Sequence, residues 1–244
     1  MIATGPNGPE TPANVGLSYE HLRIPSSERL LDAYLVRAAA DCHPRASLLI
    51  FHGVGETISQ WVGVQRLLFD QCISALVFDY SGDGDSTGRG SVENLDQDAP
   101  AAYSFYRARF SGQERLCVLG FSMGNAPVLD SIDKFRPAPS CIVIASAFSS
   151  GRASAEYHWK IPHLLMKMIP DAWDNVRSVS QVHSPLLVLH SDADQVNPVW
   201  MGQRIFEAAP QPKQFAVVHG FRHNAAYKNP SQQWWAPVIE FVRQ

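Results

Sequence analysis

Short, nearly unbroken apolar runs recur along the chain, and between them apolar positions fall three and four residues apart. The runs at 30–38 (LLDAYLVRA), 46–53 (ASLLIFHG), 75–82 (ALVFDYSG), 115–122 (RLCVLGFS), 140–148 (SCIVIASAF), 184–194 (SPLLVLHSDAD) and 213–220 (KQFAVVHG) predict strands. Their lack of polar alternation is the mark of strands covered on both faces. Helices are predicted over 57–71, about 94–110, 123 to about 134, about 198–209 and about 231–243; in the first, Ile58, Trp61, Val62, Gln65, Leu68 and Phe69 share one face. Strands alternating with helices of this length imply an α/β protein, with a mostly parallel sheet between two helical layers.

Two stretches break the rhythm. Residues 1–16, rich in Pro, Gly, Asn and Thr, predict a loose tail before a single domain at 17–244. Residues 149–184, with Trp159, Pro162, His163, Met166, Lys167, Met168 and Trp173, are too long for a plain connection and read as a small lid or insertion. Leu164, Leu165 and Ile169 add to its apolar content, and these side chains fit either an acyl pocket or the buried face of two short helices.

Composition narrows the classes of function. Of 244 residues 45% are hydrophobic and 18% charged, enough for a full core without disulfides or metal. The net charge of −3 and the absence of a Lys/Arg-rich run give no footprint for nucleic acid. No apolar run has membrane-spanning length, and no Arg/Lys-led signal opens the chain. The four cysteines are scattered, with no C-x-x-C. Cys117 and Cys141 lie inside strand-like runs and read as small buried hydrophobes. This predicts a reducing cytoplasm and no zinc site.

The chemistry centres on Gly120-Phe121-Ser122-Met123-Gly124, set between a strand and a helix. A G-x-S-x-G turn in that context is a nucleophile elbow, whose hydroxyl projects above the sheet at a helix N-terminus. Serine needs a base, and the base an orienting carboxylate. Acids follow one later strand, in LLVLHSDADQVNP, and histidines the next, in VVHGFRHNAAY. With these residues the chain resembles the α/β-hydrolases, close to the small-lid serine hydrolases grouped with serine aminopeptidases, bacterial esterases and acyl-protein thioesterases. The resemblance covers about residue 20 to 244 and implies an eight-stranded-type sheet. It aligns the acid loop with His190 to Pro198, which points to Asp194 as the acid. Asp192 is its rival, otherwise a turn cap. The family's G-x-x-H falls on Gly220-Phe221-Arg222-His223, which makes His223 the base and leaves His219 structural. Phe51-His52-Gly53-Val54-Gly55 sits where the family carries its oxyanion loop, so the backbone N–H groups of Val54 and Met123 are the expected oxyanion donors. His52 braces that loop on this reading.

The turn Asp79-Tyr80-Ser81-Gly82-Asp83-Gly84-Asp85-Ser86 resembles the family's structural G-x-G-x-S turn. Its glycines, Gly82, Gly84 and Gly88, lack the spacing of a dinucleotide loop, and Asp83 and Asp85 repel a pyrophosphate. It is no calcium loop either, since Asn94 stands where that loop needs Glu.

The resemblance implies a serine hydrolase that cleaves small carboxylic esters or thioesters through an acyl-enzyme, without a cofactor. A serine at the elbow argues against dehalogenase chemistry, which uses Asp there. The competing readings are an amidase of the serine aminopeptidase type and a non-catalytic ligand-binding or scaffold protein on the same fold.

Overall fold

The computed structural model describes residues 8–43, 46–110, 115–159 and 173–244. In chain order the elements are β1 (Glu20–Ser26), β2 (Arg29–Val36), β3 (Ala46–Phe51), α1 (Val62–Asp70), β4 (Ile73–Phe78), α2 (Val92–Arg109), β5 (Arg115–Phe121), α3 (Asn125–Asp130), β6 (Cys141–Ala145), α4 (Gly151–Trp159), α5 (Asn175–Ser178), β7 (Leu186–Ser191), α6 (Val199–Ala208), β8 (Lys213–Val218), α7 (Ala225–Lys228) and α8 (Gln232–Arg243). The strands form one eight-stranded sheet in the order β1-β2-β4-β3-β5-β6-β7-β8. β2 is antiparallel to both of its neighbours, and every pairing from β4 through β8 is parallel.

The period-2 geometry of a strand sends alternate side chains to opposite faces. Along β5, Leu116 and Val118 enter one core, with Leu95, Ala99, Ala102 and Tyr103 of α2. Cys117, Leu119 and Phe121 enter the other, with Val64 and Leu68 of α1 and Trp234, Trp235 and Val238 of α8. Two apolar layers therefore grip a sheet whose central strands are buried except at Arg115, where β5 begins. The sheet brings the ends of β3, β5, β7 and β8 to one edge, and the candidate residues follow those ends.

Four expectations are corrected. β1 is absent from the predicted strands: it alternates, exposing His21, Arg23 and Pro25, and its inner face carries only Leu22 and Ile24 as apolar residues, so no apolar run marks it. As an edge strand paired on one side only, it tolerates a proline. The helix expected over 123–134 is a one-turn 3-10 segment at Ser122–Gly124, then α3, then a second 3-10 turn at Ile132–Lys134 beyond a break at Ser131. Residues 1–7 lie outside the described residues. Over 8–16, however, the tail is docked: Pro12 is buried at the start of a one-turn helix, and the Gly8 N–H donates to Ser59 Oγ at 2.9 Å. Finally, the cysteines are bonded. The parallel register sets Cys117 opposite Cys141 with Cα atoms 4.7 Å apart, and they form a disulfide. Cys42 and Cys72 form a second. Spacing along the chain hides both pairs because the fold brings together residues 24 and 30 positions apart.

Of the stretch 149–184, α4 and α5 are described. Pro162, His163, Leu164, Leu165, Met166, Lys167, Met168 and Ile169 lie outside the described residues, and so does their reading as a lid. Among the described residues no helix is long and apolar enough to cross a membrane.

Candidate active site

β5 delivers Ser122 into a left-handed backbone conformation, φ +52°, where a side chain other than glycine's is strained. The turn closes because its glycines let backbone approach backbone. A Cβ on Gly120 would sit 2.7 Å from Asn125 Cα, and one on Gly124 would lie 2.6 Å from the His52 carbonyl oxygen. Asn125 braces the turn from below, donating to the Ser122 carbonyl at 2.8 Å and the Ala145 carbonyl at 2.9 Å.

The structure brings Ser122, His223 and Asp194 together. With its proton on Nδ1, His223 donates to Asp194 Oδ2 at 2.7 Å while Nε2 accepts from Ser122 Oγ at 2.9 Å. All three residues are buried. The second oxygen of Asp194 accepts the N–H groups of Val196 and Asn197, each at 2.9 Å, which fixes the carboxylate's plane. Asn197 is held in turn: its side chain donates to the Ser146 carbonyl and its own carbonyl meets His190 Nε2 at 2.7 Å. Burial lowers the pKa of His190, which favours the neutral ring beside Asp194. Asp192 points elsewhere. It accepts from the Gly220 N–H and faces His219 Nδ1 at 2.8 Å on the surface, and these two contacts lower its pKa. His219, 77% exposed, takes no part in the buried chain.

Val54 and Met123 both border the cavity that Ser122 opens into. Met123 is second in its one-turn helix, so its N–H has no intrahelical acceptor. The loop carrying Val54 is fixed from behind. His52 Nδ1 donates to the Gly53 carbonyl at 2.8 Å, its Nε2 lies 3.3 Å from Asp79 Oδ1, and Tyr80 donates to the His52 carbonyl. Burial works against a charge on His52, but Asp79 and Glu56 outweigh it and raise its pKa.

Glu56 is the residue that sequence reading passed over. Its buried carboxyl accepts from the Gly53 N–H at 2.9 Å and the Trp61 indole at 3.0 Å, and it lies beneath the same turn. Burial lifts its pKa against the pull of His52 and Gly53, and burial together with Glu56 raises that of Tyr227. The Gly53-to-Glu56 spacing resembles a side-chain turn cap and was the available signal.

The cavity at Ser122 measures about 520 Å³, within the range of small-molecule sites. Phe148, Trp159, Trp173, Val54, Met123 and Val196 give it an apolar wall, with the α4 residues Ser154, Ala155 and His158 on one side. Val54 and Trp159 are 50% and 72% exposed, so apolar surface extends to the mouth.

A model of the family "Serine aminopeptidase, S33" matches residues 42–178, more than half of the chain. The chain belongs to this family of α/β-hydrolases. The matched segment includes Ser122 and the loop carrying Val54; Asp194 and His223 lie beyond it. Among curated relatives of this S33 member, α/β hydrolase domain-containing protein 17B of Xenopus tropicalis is 30% identical over 190 residues, 75% of this chain and 62% of that protein. The uncharacterized protein Rv2307c of Mycobacterium tuberculosis is 34% identical over 158 residues, 62% of this chain and 53% of its own length. The matched part thus spans between half and two thirds of these relatives. The Pyrococcus furiosus esterase Pf2001 superposes with a TM-score of 0.77 at 17% identity, covering 100% of this chain and 98% of the esterase chain. The esterase domain of a Rhodothermus marinus protein reaches 0.67 at 21% identity, covering 93% and 96%. At such identities the likeness concerns the α/β-hydrolase fold.

Proposed function

We propose that the protein hydrolyses carboxylic esters or thioesters through a Ser122 acyl-enzyme. The observation that carries this reading is the buried hydrogen-bond chain from Ser122 through His223 to Asp194, opening onto an apolar cavity. On approach of an acyl carbon, His223 Nε2 takes the Ser122 proton as the Oγ–carbon bond forms. The carbonyl oxygen becomes an oxyanion between the N–H groups of Met123 and Val54, each donor worth about 3 kcal/mol at the transition state. Asp194 stabilises the imidazolium and holds its orientation. The imidazolium then gives its proton to the departing alcohol or thiol as the carbon–leaving-group bond breaks. A water, deprotonated by the same ring, releases the carboxylic acid and restores Ser122.

Turnover of 4-nitrophenyl butanoate and covalent labelling of Ser122 by a fluorophosphonate test the reading, with the matching butanoyl anilide measuring the amidase alternative. Absence of both hydrolysis and labelling would favour a ligand-binding role. The imidazolium cannot accept a proton, so kcat/KM is expected to rise with pH with unit slope and then level off. A flat profile would remove the general base.

The acid assignment has its own test. Asp194→Asn presents an amide to the imidazole, stabilises the wrong tautomer, and is expected to lower kcat by about 10⁴-fold. Asp192→Asn, outside the chain, is expected to leave kcat near wild type. The reverse order would transfer the role to Asp192.

The expectation of a reducing cytoplasm rested on unpaired thiols. Two disulfides of the kind that persist in oxidising compartments remove that ground.

A further inference from the structure

A second cleft, of about 820 Å³, lies beside the apolar cavity. Val196 lines both spaces. Ser122 faces the apolar one, and His223 faces the second. The two spaces differ in chemistry. The second is bordered by Gln195, Arg222, Asn224, Lys228, Asn229 and Ser231, and no carboxylate lines it. Among the described residues neither Arg222 nor Lys228 makes an ion pair, and both side chains are exposed. The carboxylate bonded to the Gly220 N–H at the rim, Asp192, is engaged by His219. Lys228 also borders a groove that contains Glu10 but forms no ion pair with it.

We infer that this cleft is the leaving-group subsite and selects esters or thioesters whose alcohol or thiol portion carries an anionic group. The inference rests on the hydrolase reading above and assigns the two halves of its substrate. Acyl transfer itself dictates the arrangement. The acyl carbon must meet Ser122 Oγ, while the leaving atom must lie within hydrogen-bond reach of His223 Nε2 to receive its proton as the carbon–leaving-group bond breaks. An acyl chain on the Ser122 side enters the apolar cavity. The remainder of the substrate, on the His223 side, is then delivered to the polar cleft, where Arg222 and Lys228, unpaired among the described residues, and several neutral hydrogen-bonding side chains await it. Two such cations set a positive potential that favours a carboxylate or phosphate and disfavours an ammonium group. Exposed pairs are individually weak, so two of them together set a preference of about tenfold, one that fades as salt screens it.

The test holds the butanoyl group constant and varies the charge of the leaving nitrophenol. Three esters suffice: neutral 2-nitrophenyl butanoate, anionic 3-butanoyloxy-4-nitrobenzoate and cationic 3-butanoyloxy-4-nitro-N,N,N-trimethylanilinium. Each kcat/KM is compared with that of an Arg222→Gln/Lys228→Gln variant on the same ester, which cancels the esters' intrinsic reactivity. At low ionic strength the wild-type-to-variant ratio for the anionic ester is expected to exceed that for the cationic one by about tenfold or more, the two converging at high salt. Lys228→Glu alone, compared in the same way, should shift the preference toward the cation. Inhibition of neutral-ester turnover by phenyl phosphate and by benzoate separates the sources. Stronger inhibition by benzoate assigns a carboxylate-bearing leaving group, and stronger inhibition by the more highly charged phosphate assigns a phosphorylated one. Neutral-ester turnover with no charge preference, or a preference unmoved by these substitutions, overturns the inference and leaves the hydrolase reading standing. Failure to cleave any of the three would overturn both.

Discussion

Ser122→Ala is expected to lower kcat for a simple ester by three to six orders of magnitude while leaving the melting temperature within a few degrees of wild type. The size follows from what the hydroxyl does: without it there is no acyl-enzyme, and what remains is the oxyanion site and the binding cavity, worth about 10³ to 10⁴ over water. Stability is spared because Ser122 Oγ bonds only to His223 among the described residues, and alanine keeps the Cβ that already occupies the strained left-handed position. His223→Ala should fall to a similar level, and the double variant should be no worse than either single one, since residues that act as a unit do not add. Near-additive losses would mean that His223 does not activate Ser122. Unchanged turnover in Ser122→Ala would remove the proposed mechanism altogether. Circular dichroism and thermal melts of the purified variants separate a chemical loss from a folding one.

Local features carried a great deal of this architecture into the sequence. The apolar runs of β3 to β7 are unbroken because each strand is covered on both faces, and their alternation with helices is the sheet's own wiring. Gly120 and Gly124 flank Ser122 because backbone passes where their side chains would stand, so a steric need left a local mark. The residues that were not legible act over distance. Asn125 reaches the Ala145 carbonyl on the next strand, and Asn197 reaches Ser146 across 51 positions. The Cys117–Cys141 bond depends on a register that the sheet sets. β1 alternates regularly, but only Leu22 and Ile24 on its inner face are apolar and Pro25 interrupts it, too little to stand out as a strand. Glu56 drew no reading from the sequence; its importance comes from burial beneath the Gly53 turn, which the Gly53-to-Glu56 spacing hints at but does not encode.

Gly124→Ala is expected to be the most destructive single methyl addition near the site. Its backbone, φ −60° and ψ −15°, is ordinary helical geometry that alanine prefers to glycine, so torsional strain predicts a mild gain. The surroundings reverse the sign. The new Cβ would collide with the Phe51 carbonyl oxygen and lie 2.6 Å from both the Phe51 carbonyl carbon and the His52 carbonyl oxygen. These are backbone atoms at the end of β3, and no side-chain rotation moves them. Either the helix start retreats from the sheet or the end of β3 shifts, and overpacking of this kind costs about 1 to 3 kcal/mol and sometimes more. A shift of β3 also carries Gly53 and Val54 away from the oxyanion position, so molecules that still fold should lose about 10² to 10³ in kcat, the loss associated with one missing donor. Gly16→Ala is the control: its φ is +75° and no atom stands within 4 Å of the new Cβ. It bears only the left-handed strain, about 1 to 2 kcal/mol, and no loss in kcat. Urea unfolding and ester turnover at a temperature where both variants are folded measure the two effects separately. Wild-type values for Gly124→Ala would mean that the elbow and the end of β3 are free to move apart, and then the oxyanion loop would not be held in place by the turn that presents Ser122.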